Sequence, residues 1–560
     1  MRRRARAARA KILLLGLALA ACSGTASEES GDAGTALVRT TAGDLEGEEL
    51  PSGVLAFRGV PYARPPVGDR RWRPPEPPES WQGVRDAKTF APACPQGDGT
   101  AAYYRRAARR LGRDTTAVPD RGPTSEDCLH LNVWTPGTSA ERDLPVFVWV
   151  HGGAGNTGSG SDPLFRGNRL ARRGAVVVTL DYRLGPLGFL AHPALSAEAP
   201  SGSSGNYALR DLVRALRWIR ANADAFGGDP ARVTLAGQSS GASLVETLLV
   251  VPPARGLFHR AVSHSATLLD PPPLRAAGEE PDAEAGGVRF LERLGFGADV
   301  RPATLRSIPV DSLLAAAARA GPSAPTAPVV DGRLLPGDPA DLWATGEFAR
   351  IPILKGTTDD EFSLFMPPTP VEPGEYEEWA DERYGALGSL VLEARPPGPD
   401  AETTRRRRVR VLSDQTFRVP ALLVLRWTDG RSPVHLYRFG WRPDDGAVGA
   451  FHSADLPFLF DTHEAAGWWR RDTSITRLTS IVQDAWLDFA ATGSPGAEGL
   501  PPWPASKPDR PRVMVLDEPP RMETMEPLEL VRTLADRLEA RPPDPGGRSS
   551  SMDEARSRRH

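Results

Sequence analysis

Four short, almost unbroken apolar runs constrain this chain more than any other feature. They lie at 144–150, 175–180, 233–236 and 351–354. Strands buried on both faces of a mainly parallel sheet read this way, because neither face meets water. Between the second and third runs, Leu209, Leu212, Val213, Leu216 and Ile219 recur at helical spacing, with Arg210, Arg214, Arg217 and Arg220 on other faces. That spacing predicts an amphipathic helix over 206–226, stopped by Gly227-Gly228 with Pro230 beyond. Strand, helix and strand make a crossover unit, so the expected fold is α/β: a central, mostly parallel sheet flanked by helices. Further helix is expected across 276–320 and over 473–491, where Ile475, Leu478, Val482, Ala485, Trp486 and Phe489 form a stripe. The Pro-rich stretch 64–78 reads as an irregular arm.

The third apolar run leads directly into Gly237-Gln238-Ser239-Ser240-Gly241, and an apolar helical run, 242–250, follows. A G-x-S-x-G pentapeptide alone is weak, since a Gly/Ser turn capping a helix looks the same. Between a strand and a helix it is a sharp turn that lifts a serine hydroxyl clear of the sheet edge. Ser239 is therefore the candidate nucleophile. A serine hydroxyl needs a base, and the oxyanion formed on attack needs donors. The first apolar run ends in His151-Gly152-Gly153-Ala154, which matches the glycine-rich loop that supplies backbone amides from the far side of such a site. Gly153, Ala154 and Ser240 are the candidate oxyanion donors, and His151 is expected to shape their loop.

The ends of the chain are read separately. Arg2, Arg3, Arg4, Arg6 and Arg9 precede a short apolar stretch, a signal peptide over 1–21. Leu19-Ala20-Ala21-Cys22 resembles the bacterial lipobox, with Cys22 as the lipidated residue; a plain secretory signal is the alternative. Residues 22–38 are expected to form a flexible tether, 39–540 a single domain, and 541–560 a disordered tail. The expected location is outside the cell, either anchored to the membrane through Cys22 alone or secreted. Only 3 cysteines occur. With Cys22 set aside, Cys94 and Cys128 remain as one pair, expected to form a disulfide in an exported protein, with two free thiols the alternative. The net charge of −3 leaves no footprint for nucleic acid. Almost all the basic residues are arginine, read as genome composition.

Longer stretches carry a resemblance. The run from Phe226 through Gly241 is similar throughout to the nucleophile signature of the type-B carboxylesterases. Glu126 to Val133 resembles that family's second signature, with His130 where Tyr is usual. Phe57 to Gly68 resembles its N-terminal arm, and Trp81 to Gln96 the segment with the first Cys of its N-terminal disulfide. The resemblance spans roughly 40–517 and implies the α/β-hydrolase fold, an ester substrate, and a triad in the chain order Ser, Glu, His. By motif position the acid is Glu361, in Gly356-Thr357-Thr358-Asp359-Asp360-Glu361, with Asp360 the rival and Phe362 where Gly is usual. The base is His452, in Phe451-His452-Ser453-Ala454-Asp455, with His264 and His463 as rivals. Gly155 stands where the family has an aromatic residue, which is expected to open one wall of the pocket. Gln238 replaces the commoner Glu, removing a costly buried charge.

The implied chemistry is hydrolysis of a carboxylic ester through an acyl-enzyme. No metal or organic cofactor is implied, and no His/Cys cluster has ligand spacing. A partner-binding relative that has lost its triad is a competing class, but all three positions here hold competent residues. A lipase, thioesterase or lactonase is the competing hydrolase. The Gly/Arg-rich segment 97–122 is expected to be a loop that overhangs the site.

Overall fold

A computed structural model describes residues 34–118, 122–139, 142–276, 282–442, 448–468 and 471–540. The expected signal segment 1–21, Cys22, the first part of the expected tether and the expected tail 541–560 lie outside the described residues. The tether boundary is corrected at its far end. Residues 35–39 are strand rather than linker, because Ala36 and Val38 turn inward and pair with the next strand.

Among the described residues thirteen strands form one sheet: β1 Thr35–Arg39, β2 Asp44–Glu49, β3 Leu55–Pro61, β4 Val84–Asp86, β5 His130–Thr135, β6 Leu144–Val150, β7 Val176–Leu180, β8 Gly228–Gln238, β9 Arg260–His264, β10 Ile353–Thr358, β11 Val434–Phe439, β12 Arg512–Leu516 and β13 Arg521–Thr524. Their order is β1-β2-β3-β5-β7-β6-β8-β9-β10-β11-β12-β13, with β4 beside β2. From β7 to β12 every pairing is parallel, and on the flanks the pairings are antiparallel except that of β4 with β2. The expected parallel core is therefore present; the first three apolar runs lie in it, and the fourth overlaps β10 only at Ile353 and Leu354. Alternate residues of β6 serve opposite sides. Val146, Val148 and Val150 join the core under the helices Tyr207–Asn222 and Ser240–Val250, while Phe147 and Trp149 join the core with the helix Thr473–Thr492. The strand's period of two puts both faces in apolar surroundings.

The chain passes from β6 to β7 on one side, then returns through the helix Tyr207–Asn222 to β8 on the other side of β6. This switch point leaves a crevice at the C-terminal ends of β6 and β8, where open α/β sheets bind ligands. Gly227, at φ 76°, ends the crossover in a left-handed conformation.

Two local expectations change. Helix over 276–320 is broken into Ala283–Glu292, Pro302–Arg306 and Val310–Ala320, because Gly295, Pro302 and Pro309 interrupt it. The segment 97–122 is not simply a loop, since Gly99–Arg110 is helical, with Ala101, Ala107 and Ala108 buried. The expected disulfide joins Cys94 to Cys128, 34 residues apart, and so encloses that helix. Closing a loop of this length contributes about 3–4 kcal/mol in the chain-entropy account. Reduction under native conditions should lower stability by that amount, read as a shift in the urea midpoint; an unchanged midpoint would contradict it.

One buried ion pair sits in the sheet core. Lys355 on β10 meets Glu246 of the helix Ser240–Val250, and Ser263 Oγ of β9 donates to the same carboxylate at 2.5 Å. Removing one member strands the other charge in a low-dielectric interior. Lys355→Met should cost about 3–5 kcal/mol, and the double change Glu246→Leu/Lys355→Met should recover most of it. Urea unfolding of both variants checks this, and equal losses in the two would refute it.

Candidate active site

The site begins with strain. Ser239 follows β8 at φ 56°, ψ −130°, and the helix starts at Ser240. A non-glycine residue held there costs about 1–3 kcal/mol. It is fixed by Ser239 N–H donating to His264 O at 2.8 Å and Ser243 N–H donating to Ser239 O at 3.0 Å. The flanking glycines are required by approach distance. A Cβ on Gly241 would stand 2.3 Å from Val150 O, and one on Gly237 would stand 2.7 Å from Gly241 O. The turn is thereby locked against the end of β6.

The loop after β6 interleaves with it. A Cβ on Gly152 would meet Gln238 O at 2.6 Å, and Gly155 N–H donates to Ser240 Oγ at 3.2 Å. Gly153 and Ala154 have φ of 114° and 56°. Among the described residues the amides of Gly153, Ala154 and Ser240 donate to no protein group, so three backbone donors remain open beside the serine. His151 shapes the loop as expected. Its Nδ1–H donates to Gly152 O at 2.9 Å, its ring stacks on Tyr182 at 4.5 Å, and Tyr182 OH donates to His151 O at 2.8 Å. Burial pushes His151 down to about 4, so the ring is neutral at neutral pH.

The expectation about Gly155 is overturned. Gly155 has φ 67°, and a Cβ there would lie 2.0 Å from Thr326 O. The place of an aromatic wall is filled by the Thr326 backbone and, at its edge, by Phe189, so no opening results.

Two adjacent carboxylates divide their work. Glu361 is fully buried. Its Oε1 accepts from Thr358 N–H at 2.7 Å and Ser265 Oγ at 2.6 Å, and its Oε2 accepts from His452 Nδ1 at 2.5 Å. Asp360 turns away, accepting from Ala450 N–H and from Arg410 Nε, both at 3.1 Å. Next to it, burial alone would raise the Asp359 carboxyl, but Arg438, Arg418, Arg410 and Arg442 hold it below its ordinary value. Phe362 sits in the 3-10 turn Glu361–Leu364, where φ is not left-handed, so glycine is not needed. Its ring packs with Val409, Leu412 and Phe417.

His452 lies between aromatic rings, with Phe365 at 5.4 Å and Phe417 at 5.3 Å, and its carbonyl accepts from Tyr103 OH at 2.6 Å. With Nδ1–H given to Glu361, Nε2 presents a lone pair toward the serine turn. In this structure that lone pair accepts from the Gln238 side-chain amide at 2.9 Å, and among the described residues no hydrogen bond joins Ser239 Oγ to His452. Serine–histidine contacts of this kind commonly tighten only when substrate is bound. The rival histidines are committed elsewhere. His264 is held by Asp455 and Tyr437 at Nδ1, both at 2.7 Å, and by Trp486 at Nε2. Buried His463 meets Thr479 Oγ1 at 2.9 Å, and burial pushes it down to about 4. Sequence reasoning had no signal for Ser265, Phe417 or Tyr103, which reach the site from separate elements.

A serine on a strained strand-to-helix turn, open amides beside it and a buried histidine–glutamate pair, all gathered on one parallel sheet, define a serine hydrolase of the α/β-hydrolase fold. The sequence pattern of the Carboxylesterase family matches residues 34–531. The chain belongs to that family and is a carboxylic ester hydrolase. It is 36% identical over 484 residues to the fumonisin B1 esterase of Sphingopyxis macrogoltabida, covering 84% of each chain. To the para-nitrobenzyl esterase of Bacillus subtilis it is 35% identical, covering 86% of this chain and 94% of that one. A solved carboxylesterase of Geobacillus stearothermophilus superposes with a TM-score of 0.73 at 33% identity, covering 89% of this chain and 99% of that one.

Proposed function

We propose that ester hydrolysis here runs through Ser239, His452 and Glu361. The observation that carries the reading is the His452–Glu361 hydrogen bond of 2.5 Å, which fixes the imidazole with its lone pair toward the serine turn. His452 takes the Ser239 proton as Oγ attacks the ester carbonyl. Glu361 stabilises the imidazolium, and the amides of Gly153, Ala154 and Ser240 hold the oxyanion. The tetrahedral intermediate collapses as His452 returns the proton to the alcohol. Water, deprotonated by the same histidine, then releases the acid. For Nε2 to accept the serine proton it must exchange the Gln238 amide for Ser239 Oγ, a side-chain movement rather than a rearrangement of the fold. A fluorophosphonate probe tests the assignment: mass spectrometry should place the adduct on the peptide bearing Ser239, and an adduct on any other residue would refute it.

The proposed setting is outside the cell, with the chain tied to a membrane through lipidated Cys22. The lipobox-like tetrad supports this reading, and among the described residues no helix is long and apolar enough to cross a membrane. Labelling with a radioactive fatty acid should mark the wild type and not Cys22→Ser; equal labelling would end the idea.

A further inference from the structure

The helix Gly99–Arg110 lies across the site and is cationic where it meets solvent. One side of it touches three parts of the site in turn. Thr100 N–H donates to Thr157 Oγ1 at 3.1 Å next to the oxyanion loop, Tyr103 OH donates to His452 O at 2.6 Å, and Arg106 Nη1 donates to Leu364 O at 3.0 Å. The next residue, Phe365, is 44% exposed, and its ring lies 5.6 Å from that of Tyr103 and 5.4 Å from that of His452. A molecule in contact with His452 can therefore meet an exposed ring and, one residue along, the Arg106 guanidinium.

That guanidinium is not neutralised. Among the described residues no carboxylate lies within ion-pair distance of Arg106 or Arg110, four residues on. The acid on the neighbouring helix Ala401–Ser413, Glu402, is taken by Arg405 through two bonds of 2.9 and 2.8 Å. Burial, and then the nearby charges of Arg405 and Arg106, push Arg110 below its ordinary value, with Glu402 opposing them only in part. The buried arginines Arg71, Arg183 and Arg306 are matched with Glu126, Asp211 and Glu198, whereas several that reach solvent away from the site, Arg214 and Arg260 among them, share with Arg106 the lack of an ion pair among the described residues. The chain as a whole is negative, at −3, so the local excess of positive charge does not follow from its overall balance.

We propose that Arg106, backed by Arg110, binds a carboxylate on the alcohol portion of the ester, so that this esterase selects anionic substrates. The inference rests on the roles given above to Ser239 and His452. His452 returns its proton to the leaving alcohol, so the alcohol portion is the part held against His452 and the elements that flank it. With Nη1 engaged on Leu364 O, the Nε and Nη2 hydrogens remain as a fork suited to a carboxylate. A positive field at the site also raises the local concentration of anionic substrate.

The test compares kcat/KM for 4-butyryloxybenzoate with that for the neutral 4-butyryloxybenzamide, in the wild type, Arg106→Gln and Arg106→Lys. The anionic-to-neutral ratio should fall at least about tenfold in Arg106→Gln, as expected for loss of a charged hydrogen bond, and less in Arg106→Lys, which keeps the charge. Added salt should erode the wild-type ratio and leave that of Arg106→Gln little changed. A ratio in Arg106→Gln within about twofold of wild type would overturn the proposal, because a purely structural loss moves both substrates together. Failure of the underlying reading would look different: Ser239→Ala would still hydrolyse the neutral ester.

Discussion

Ser239→Ala should lower kcat for 4-nitrophenyl butyrate by about five to six orders of magnitude, the scale seen when a triad nucleophile is removed from a serine hydrolase. The loss is chemical, not conformational. The strained backbone at residue 239 is held by the bond to His264 O and by glycine approaches that do not involve the hydroxyl. Alanine therefore keeps the turn, the open amides and the His452–Glu361 pair. Substrate should still bind, with KM close to wild type, because no contact apart from Oγ is removed. Some acceleration over water should persist from the oxyanion donors and from binding. Steady-state assays on folded protein, with circular dichroism to confirm the fold, check this. Activity within tenfold of wild type would exclude Ser239 as the nucleophile.

Glu361→Gln should reduce kcat by about four orders of magnitude, the loss expected when the imidazole is held in the wrong tautomer. In the native site Nδ1 donates to Glu361 Oε2, leaving Nε2 free of hydrogen. The amide side chain is anchored by Thr358 N–H and Ser265 Oγ on its oxygen, which turns its NH2 group toward His452. Nδ1 must then accept, the proton moves to Nε2, and the ring cannot take a proton from serine. Asp360→Asn provides the contrast. That carboxylate accepts from Ala450 N–H and Arg410 and does not touch the imidazole. Its loss should weaken the loop that carries His452 and lower kcat by far less. Equal kinetic losses in the two variants would mean that the acid has been misassigned between neighbours.

The parts legible in the sequence were those whose physics is local. β6 and β7 are buried along both faces, so they appear as unbroken apolar runs. β5 is equally buried but was not seen, because His130, Asn132 and Thr135 interrupt it. Asn132 is there to bond Gly59 N–H and Thr179 Oγ1 across the sheet, a reason absent from its own neighbourhood. β10 was seen only in part, because Lys355 reads as an end of burial while its charge is in fact met by Glu246 of a distant helix. The helix Gly99–Arg110 does not stand out in the sequence because its arginines come in adjacent pairs and its apolar residues are mostly small alanines, a face recognisable only once the surface it packs on exists.

The site divides in the same way. A strand running into G-x-S-x-G and a glycine-rich loop are local patterns, and they pointed to an α/β fold with Ser239 as nucleophile; the ester chemistry and the candidates Glu361 and His452 came from the resemblance to the type-B carboxylesterases. The tertiary structure decided what depends on approach between distant segments. It turned Glu361 rather than Asp360 toward the imidazole, filled the place beside Gly155 with Thr326, put the Gln238 amide on Nε2, and laid Tyr103 and Arg106 over the site. Each of these is a contact of a few ångströms between residues far apart in the chain. Such contacts are selected by packing and by the need to satisfy buried polar groups, neither of which leaves a periodicity in the sequence.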